Sequence, residues 1–263
     1  MKGFIVPLLA VVLAVATLVA GSAGTPPLAQ ARVATGTIKG HIHLNGKLPG
    51  NTVIRMGKDP KCAEMNKGKQ VVQETVKATI DGSLANVFVR LEGTLPATAV
   101  PKTPVIVDQQ GCIYEPRVLG VRVGQELQVR NKDSLLHNVH SVSKNDNQFN
   151  VAQVKAGIVD SFKMKKEEVM LRLGCDVHSW MTAYIGVVTN PYFAVSDASG
   201  SFVIDKVPPG TYTIDAWQER YGPLKKTVKV TEGGTTTVDF SYTGNEPKPS
   251  ARSIENSASR TAD

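Results

Sequence analysis

The chain has 263 residues, 41% of them hydrophobic, so it can bury one large core or two small ones, and disorder throughout is excluded. Thirty Lys and Arg against 23 Asp and Glu leave a formal charge of +7, which taken alone points to a nucleic acid, an acidic protein or an anionic membrane surface. The excess is spread along the chain, which suits a solvated surface equally well.

The chain opens on MKGFIVPLLAVVLAVATLVAGSAG, where Lys2 precedes an apolar run through Ala20 and then small residues. That is the layout of a secretory signal. Residues 1–31 are read as that signal, with Ala23 and Ala31 both acceptable cleavage positions and Ala31 preferred. The expected location is therefore the periplasm or another extracytoplasmic space. Export argues against a nucleic acid partner, and membrane association is expected only if this segment stays uncleaved. No later segment is apolar enough to span a bilayer.

Beyond the signal, apolar and polar residues alternate at a period of two, with Gly, Pro, Asn and Asp between the runs, the mark of short strands joined by turns. In chain order the strand candidates are TGTIKGHIHL, LANVFVRL, PVIVDQ, LGVRVGQELQVRN, VMLRLGC, AYIGVVTN, GSFVIDKV, GTYTIDAW, KTVKVTEG and TTTVDFSY. The fold class is all-β. KMKKEEVM reads as a solvated hairpin loop rather than a helical turn. The character changes near Asn190 to Tyr192, which divides the chain into an N-terminal β region (35–103), a second region (104–190), a run of tight hairpins (191–243) and a tail (244–263). The tail has Ile254 as its one large aliphatic residue and is expected to be disordered.

Export permits disulfides, and three cysteines leave one over. Cys62 in DPKCAEMNKG and Cys112 in DQQGCIYEP read as loop cysteines without ligand-type neighbours. Cys175 instead begins CDVHSWM, beside His178 and Met181. The expectation is a Cys62–Cys112 disulfide and a free Cys175 thiolate.

A thiolate with imidazoles and a weak axial thioether is the donor set that selects copper for electron transfer, because Cu(I) favours sulfur and Cu(II) tolerates nitrogen. Zinc is an alternative that a single thiolate and a methionine suit less well. Donors at i, i+3 and i+6 converge only if the loop turns back, since odd offsets along a strand alternate faces. The same parity separates His137 from His140 in HNVH: at most one reaches the site from extended backbone. His137 is preferred, where the loop after LQVRN gives way to a strand, and His140 is left as a half-buried histidine or an outer partner of the ligands.

The segment VGQELQVRNKDSLLHNVHS, followed by CDVHSWM with Cys175 standing 38 positions after His137, resembles the cupredoxin, or blue copper, family, and its amicyanin-type loop in particular. The resemblance spans roughly Pro104 to Thr189. It implies a Greek-key β-sandwich with one type 1 copper ion, His137, Cys175 and His178 as equatorial ligands, Met181 as the axial ligand, and the Asn138 backbone orienting the thiolate. Ser179 and Trp180 depart from the proline and phenylalanine of amicyanins, and LRLG replaces the usual aromatic-rich strand before the cysteine. Five histidines are too few for multicopper oxidase clusters, and one cysteine in the loop excludes a binuclear electron-transfer centre. His41 and His43 share a strand face and read as a surface pair or, at most, a weak extra metal site.

The run SDASGSFVIDKVPPGTYTIDAW resembles the carboxypeptidase regulatory-like β-sandwich, through Asp197, Gly200, Phe202, Ile204 and Val207 to Thr213. The half is short for that family, and TGTIKGHIHL and LANVFVRLEG match its missing strands. The copper domain is therefore expected as an insertion into the sandwich. No nucleophilic triad, phosphate loop or carboxylate pair is visible, so the expectation is a non-enzymatic electron carrier serving a redox protein partner with an acidic face. Trp180, beside a solvent-exposed His178, is the expected docking surface. Alternatives from other classes are a cell-envelope binding module with a structural metal and a copper storage or delivery protein.

Overall fold

The computed structural model describes residues 34–96, 98–143 and 145–247, together with 1 and 3. The signal assigned to 1–31 and the tail from 248 onward thus lie outside the described residues, apart from residues 1 and 3. Those described form nineteen strands, one α-helix (Pro60–Met65) and one 3-10 turn (Met56–Lys58). The fold is all-β. None of the described helices is long and apolar enough to cross a membrane.

Two β-sandwich lobes share the chain. In one, Gly36–Leu44 pairs antiparallel with Ser201–Val207 and parallel with Thr235–Thr237 and Phe240–Tyr242. A facing sheet runs in the order Phe193–Val195, Phe88–Glu92, Gly210–Gln218, Gly222–Val230. Ile38, Ile42, Val89, Leu91, Phe202, Ile204 and Ile214 meet between them, as period-two alternation requires. Asp197 Oδ1 accepts the Ser199 and Ser201 N–H groups, shaping the turn that opens Ser201–Val207.

The other lobe stacks Asn150–Gln153, His137–Val142, Glu168–Gly174, Thr182–Val188 and Val118–Arg122 against Val159–Lys163, Glu126–Asn131, Val105–Gln110 and Ile113–Glu115. Val107, Val121, Leu127, Val129, Val139, Leu173 and Ile185 fill its core. The KMKKEEVM stretch supplies the loop at residues 164–167 between two strands.

Strand Phe88–Glu92 is buried on both faces, which hides its alternation. Val89 and Leu91 point into the first lobe, while Phe88 packs with Val118, Met170, Val188 and Trp217 toward the second. Glycine makes that contact possible. Gly120 and Gly186 are partners in register, and a Cβ on Gly186 would stand 2.2 Å from Phe88 Cζ, one on Gly120 2.2 Å from Phe193 Cε2. Arg117 grips Glu219 with two 2.7 Å hydrogen bonds, and Arg90 reaches Glu167 at 3.3 Å, so charge pairs rim the apolar contact.

The N-terminal region of 35–103 divides between the lobes. Residues 36–44 and 84–92 lie in the first, whereas Met56 and Cys62 join the core of the second, with Ile54 and Val71 packed against it. Cys62 is also helical, in contrast to the loop expected: Asp59 caps Pro60–Met65 by accepting the Lys61 and Cys62 N–H groups, and Pro60 occupies the first turn, where its missing N–H costs nothing. A disulfide joins Cys62 to Cys112, and Cys175 is free and buried.

Candidate metal centre

Antiparallel register brings the separated sequence segments to one end of the second lobe. Gly174 stands opposite His140 on one side and Thr182 on the other, so His137, Cys175 and Met181 all lie at the same edge of one sheet. Between Cys175 and Met181 the chain doubles back, closed by the Met181 N–H donating to the His178 carbonyl at 2.9 Å. That three-residue closure is the geometry a Cys-x-x-His-x-x-Met segment needs for its side chains to converge.

His137, Cys175 and His178 are buried with their donor atoms within 4.8 Å of one another. The two Nδ1 atoms are 3.1 Å apart, and Cys175 Sγ lies 3.7 Å from His178 Nδ1. Metal bonds of roughly 2.0–2.1 Å to imidazole and 2.3 Å to thiolate place such donors about 3.3–3.7 Å apart around a common ion, so the set fits one. Met181 is 1% exposed, in the core beside the site.

The far nitrogens of both rings are engaged by carboxylates. His137 Nε2 is 2.8 Å from Asp133 Oδ2, and His178 Nε2 is 3.0 Å from Asp59 Oδ2. A carboxylate accepts, so each Nε2 carries a hydrogen, and the Nδ1 edges of the two rings are the ones turned toward each other. Two ring nitrogens and a sulfur that converge on one buried point stay together only with a proton or a metal cation among them. Carboxylate behind imidazole behind metal is the arrangement that fixes a ligating tautomer.

The electrostatics follow from this crowding. Burial pushes the Cys175 thiol up, but the His137 ring and the N–H groups of Asn138, His178 and Val177 outweigh it and bring it down to about 7. Burial pushes His137 down, yet Asp133 and Cys175 win and raise it, because a proton there compensates the negative charge around it. Burial likewise pushes the Asp133 carboxyl up, and His137 with the Cys112 and Gly111 N–H groups holds it below its ordinary value. Asp59 is lowered chiefly by its bond to His178.

Asn138 donates its backbone N–H to Cys175 Sγ at 3.3 Å, and its side-chain oxygen accepts the Asp176 N–H. Tyr114 Oη shares its hydrogen between the carbonyls of Asn138 and Gly174, at 2.9 and 3.0 Å, tying together the strands next to His137 and Cys175. His140 turns away from the donor cluster, as parity requires, and holds Asp176 at 2.8 Å. His41 and His43 lie in the other lobe with ring centroids 6.1 Å apart and belong to none of the metal-type clusters among the described residues.

The expected exposure of His178 is overturned. His178 is 1% exposed, not solvent-facing, because Asp59 and Cys62 cover its Nε2 edge. Trp180 is half-buried: its Nε1 donates to the Cys112 carbonyl, its own carbonyl accepts from Gln73, and its ring packs against the core. Sequence reasoning missed both carboxylates. Asp133, four residues before His137, was within reach of a spacing argument; Asp59 is 119 residues from His178, and no local pattern marks it.

Residues 183–243 match the family model of the carboxypeptidase regulatory-like domain. No curated protein sequence matches the chain. Similar solved structures include a copper-containing nitrite reductase from Thermus scotoductus SA-01, 21% identical over 36% of this chain and 24% of that one, with a TM-score of 0.31. A purple cupredoxin from Nitrosopumilus maritimus is 22% identical over 32% of this chain and 98% of its own, with a TM-score of 0.28. An oxidised amicyanin variant is 23% identical over 35% and 88%, with a TM-score of 0.30.

Proposed function

We propose that this is an exported, non-enzymatic electron-transfer protein whose second lobe holds one type 1 copper ion through His137, Cys175, His178 and Met181. The observation that carries the reading is the facing pair of Nδ1 atoms, 3.1 Å apart beside the Cys175 sulfur, with both Nε2 atoms committed to carboxylates. Copper bound there supplies a one-electron couple.

The chain's own residues supply rigidity. Asp133 and Asp59 lock both ring orientations, the Asn138 N–H steadies the sulfur, and one sheet pairs the strand of His137 with the strand that leads into Cys175, so the donors keep one arrangement in both oxidation states. Burial of every donor keeps water away from the ion. The signal-like N-terminus supports a location outside the cytoplasm, and the formal charge of +7 suits a redox partner with an acidic face.

Adding Cu(II) to the purified chain is expected to produce an intense visible thiolate-to-copper band at one ion per chain. Cys175→Ser should abolish the band and leave the folded β spectrum in place. A colourless complex with Cu(II), or a band that survives Cys175→Ser, would sink the reading; tight binding of Cu(I) alone would favour delivery or storage instead.

A further inference from the structure

Both carboxylates behind the ligand rings refer back to one turn, Gly111–Cys112. Asp133 Oδ1 accepts the Gly111 N–H and its Oδ2 the Cys112 N–H, each at 2.8 Å. Asp59 is tied to the same turn by a different route. It caps the helix Pro60–Met65, Cys62 of that helix is bonded to Cys112, and Asn66 just beyond the helix donates to the Gly111 carbonyl at 3.0 Å. Trp180, two residues after His178, also donates to the Cys112 carbonyl.

Asp59 divides its oxygens between two tasks. Oδ1 accepts the Lys61 and Cys62 N–H groups, which fixes the carboxylate against its own helix, and Oδ2 faces His178 Nε2. The result is a negative charge held rigidly one imidazole away from the donor cluster, on a segment remote in sequence that closes the ring off from solvent. Such a charge stabilises the more positive oxidation state of whatever ion the ring holds; the Asp59 side chain is itself 26% exposed, so solvent screens part of the effect, while the His178 ring it holds is buried.

Building on the copper reading above, we infer that Asp59 is a positioning residue of the metal centre. It fixes His178 with Nδ1 free to ligate and sets the reduction potential below the value the same four ligands would give alone.

The test uses the full chain loaded with copper and followed by spectroelectrochemical titration. Asp59→Asn keeps a side chain that caps a helix about as well as aspartate does, so the fold should survive. The visible band should persist while the midpoint rises, so that the reduced-to-oxidised ratio at a fixed applied potential increases about tenfold. Asp59→Ser, which also caps, serves if Asp59→Asn does not fold, and should raise the ratio at least as far.

In the metal-free chain, nitrogen-15 shifts of the His178 ring should report a single tautomer protonated at Nε2, and a mixture in Asp59→Ser. An unchanged midpoint with the band intact, or a ring that keeps one tautomer without Asp59, overturns this role and leaves the copper reading standing. A wild-type chain that shows no band with Cu(II) removes both.

Discussion

Each lobe buries a cluster of charged and polar side chains, and the two clusters are built on opposite logic. In the first lobe Arg90 lies among Glu92, Glu167 and Asp215, at 3.0, 3.3 and 3.4 Å, so the cation is surrounded by its own anions. In the second lobe the two ring Nδ1 atoms and a thiol brought down to about 7 converge with no Lys or Arg among them, and only carboxylates stand behind the rings. A buried network that is balanced by the chain itself is structure. One whose donor atoms converge with no Lys or Arg among them is a candidate site, and this contrast separates the two more sharply than burial or perturbed acidity does, since both lobes show those.

The contact between the lobes is the first place to break the comparison. Phe88 is fully buried and packs on residues of both, so Phe88→Ala should cost about 3–5 kcal/mol and turn a single unfolding transition into two, with the metal lobe and the sandwich melting apart. Differential scanning calorimetry reads this directly; one unshifted transition would show that the lobes do not depend on that contact.

A second variant sharpens the contrast from the structural side. Burial pushes the Asp215 carboxyl up to about 6 against an ordinary value of 3.8, more than Arg90 can pull it down. The folded state therefore holds this proton where the unfolded state has lost it, so its contribution to stability falls as pH rises from about 4 to about 6 and is lost above that. The fall attributable to Asp215 is about 2–3 kcal/mol, and Asp215→Asn should flatten it in denaturant titrations across that window. Copper binding should not respond to this change. An identical pH slope in both proteins would show that the charge is already compensated at its place in the network.

The smallest effect is expected at His140→Ala. That ring is partly exposed and bound to Asp176, outside the donor cluster, so the visible band should keep its position and intensity within a few per cent, in keeping with a surface pair worth about 0–1 kcal/mol. Loss of the band would mean that His140, not His137, is the ligand.

Much of this molecule is legible in one dimension. Alternation in GTIKGHIHL and ELQVRN marks strands because a pleated chain sends successive side chains to opposite faces, and the structure buries Ile38, Ile42, Leu127 and Val129 accordingly. The same parity sets His137 apart from His140, and the three-residue spacing of Cys175, His178 and Met181 demands a turn that the chain makes. Where alternation fails, as in Phe88–Glu92 and the end of Gly210–Gln218, a second layer covers the other face, and no local pattern announces which partner will cover it.

What tertiary structure alone decided is the surrounding of the site. Sequence by itself carried the donor types and their spacing, because those are properties of neighbouring residues and of the backbone between them. The helix that seals His178, the carboxylate Asp59 on its far nitrogen and the turn at Gly111–Cys112 that anchors both carboxylates come from segments up to 119 residues away. Their encounter depends on how two sheets and a disulfide fold the chain back on itself, and the energy of such long-range contacts leaves no periodic trace in any short stretch of residues.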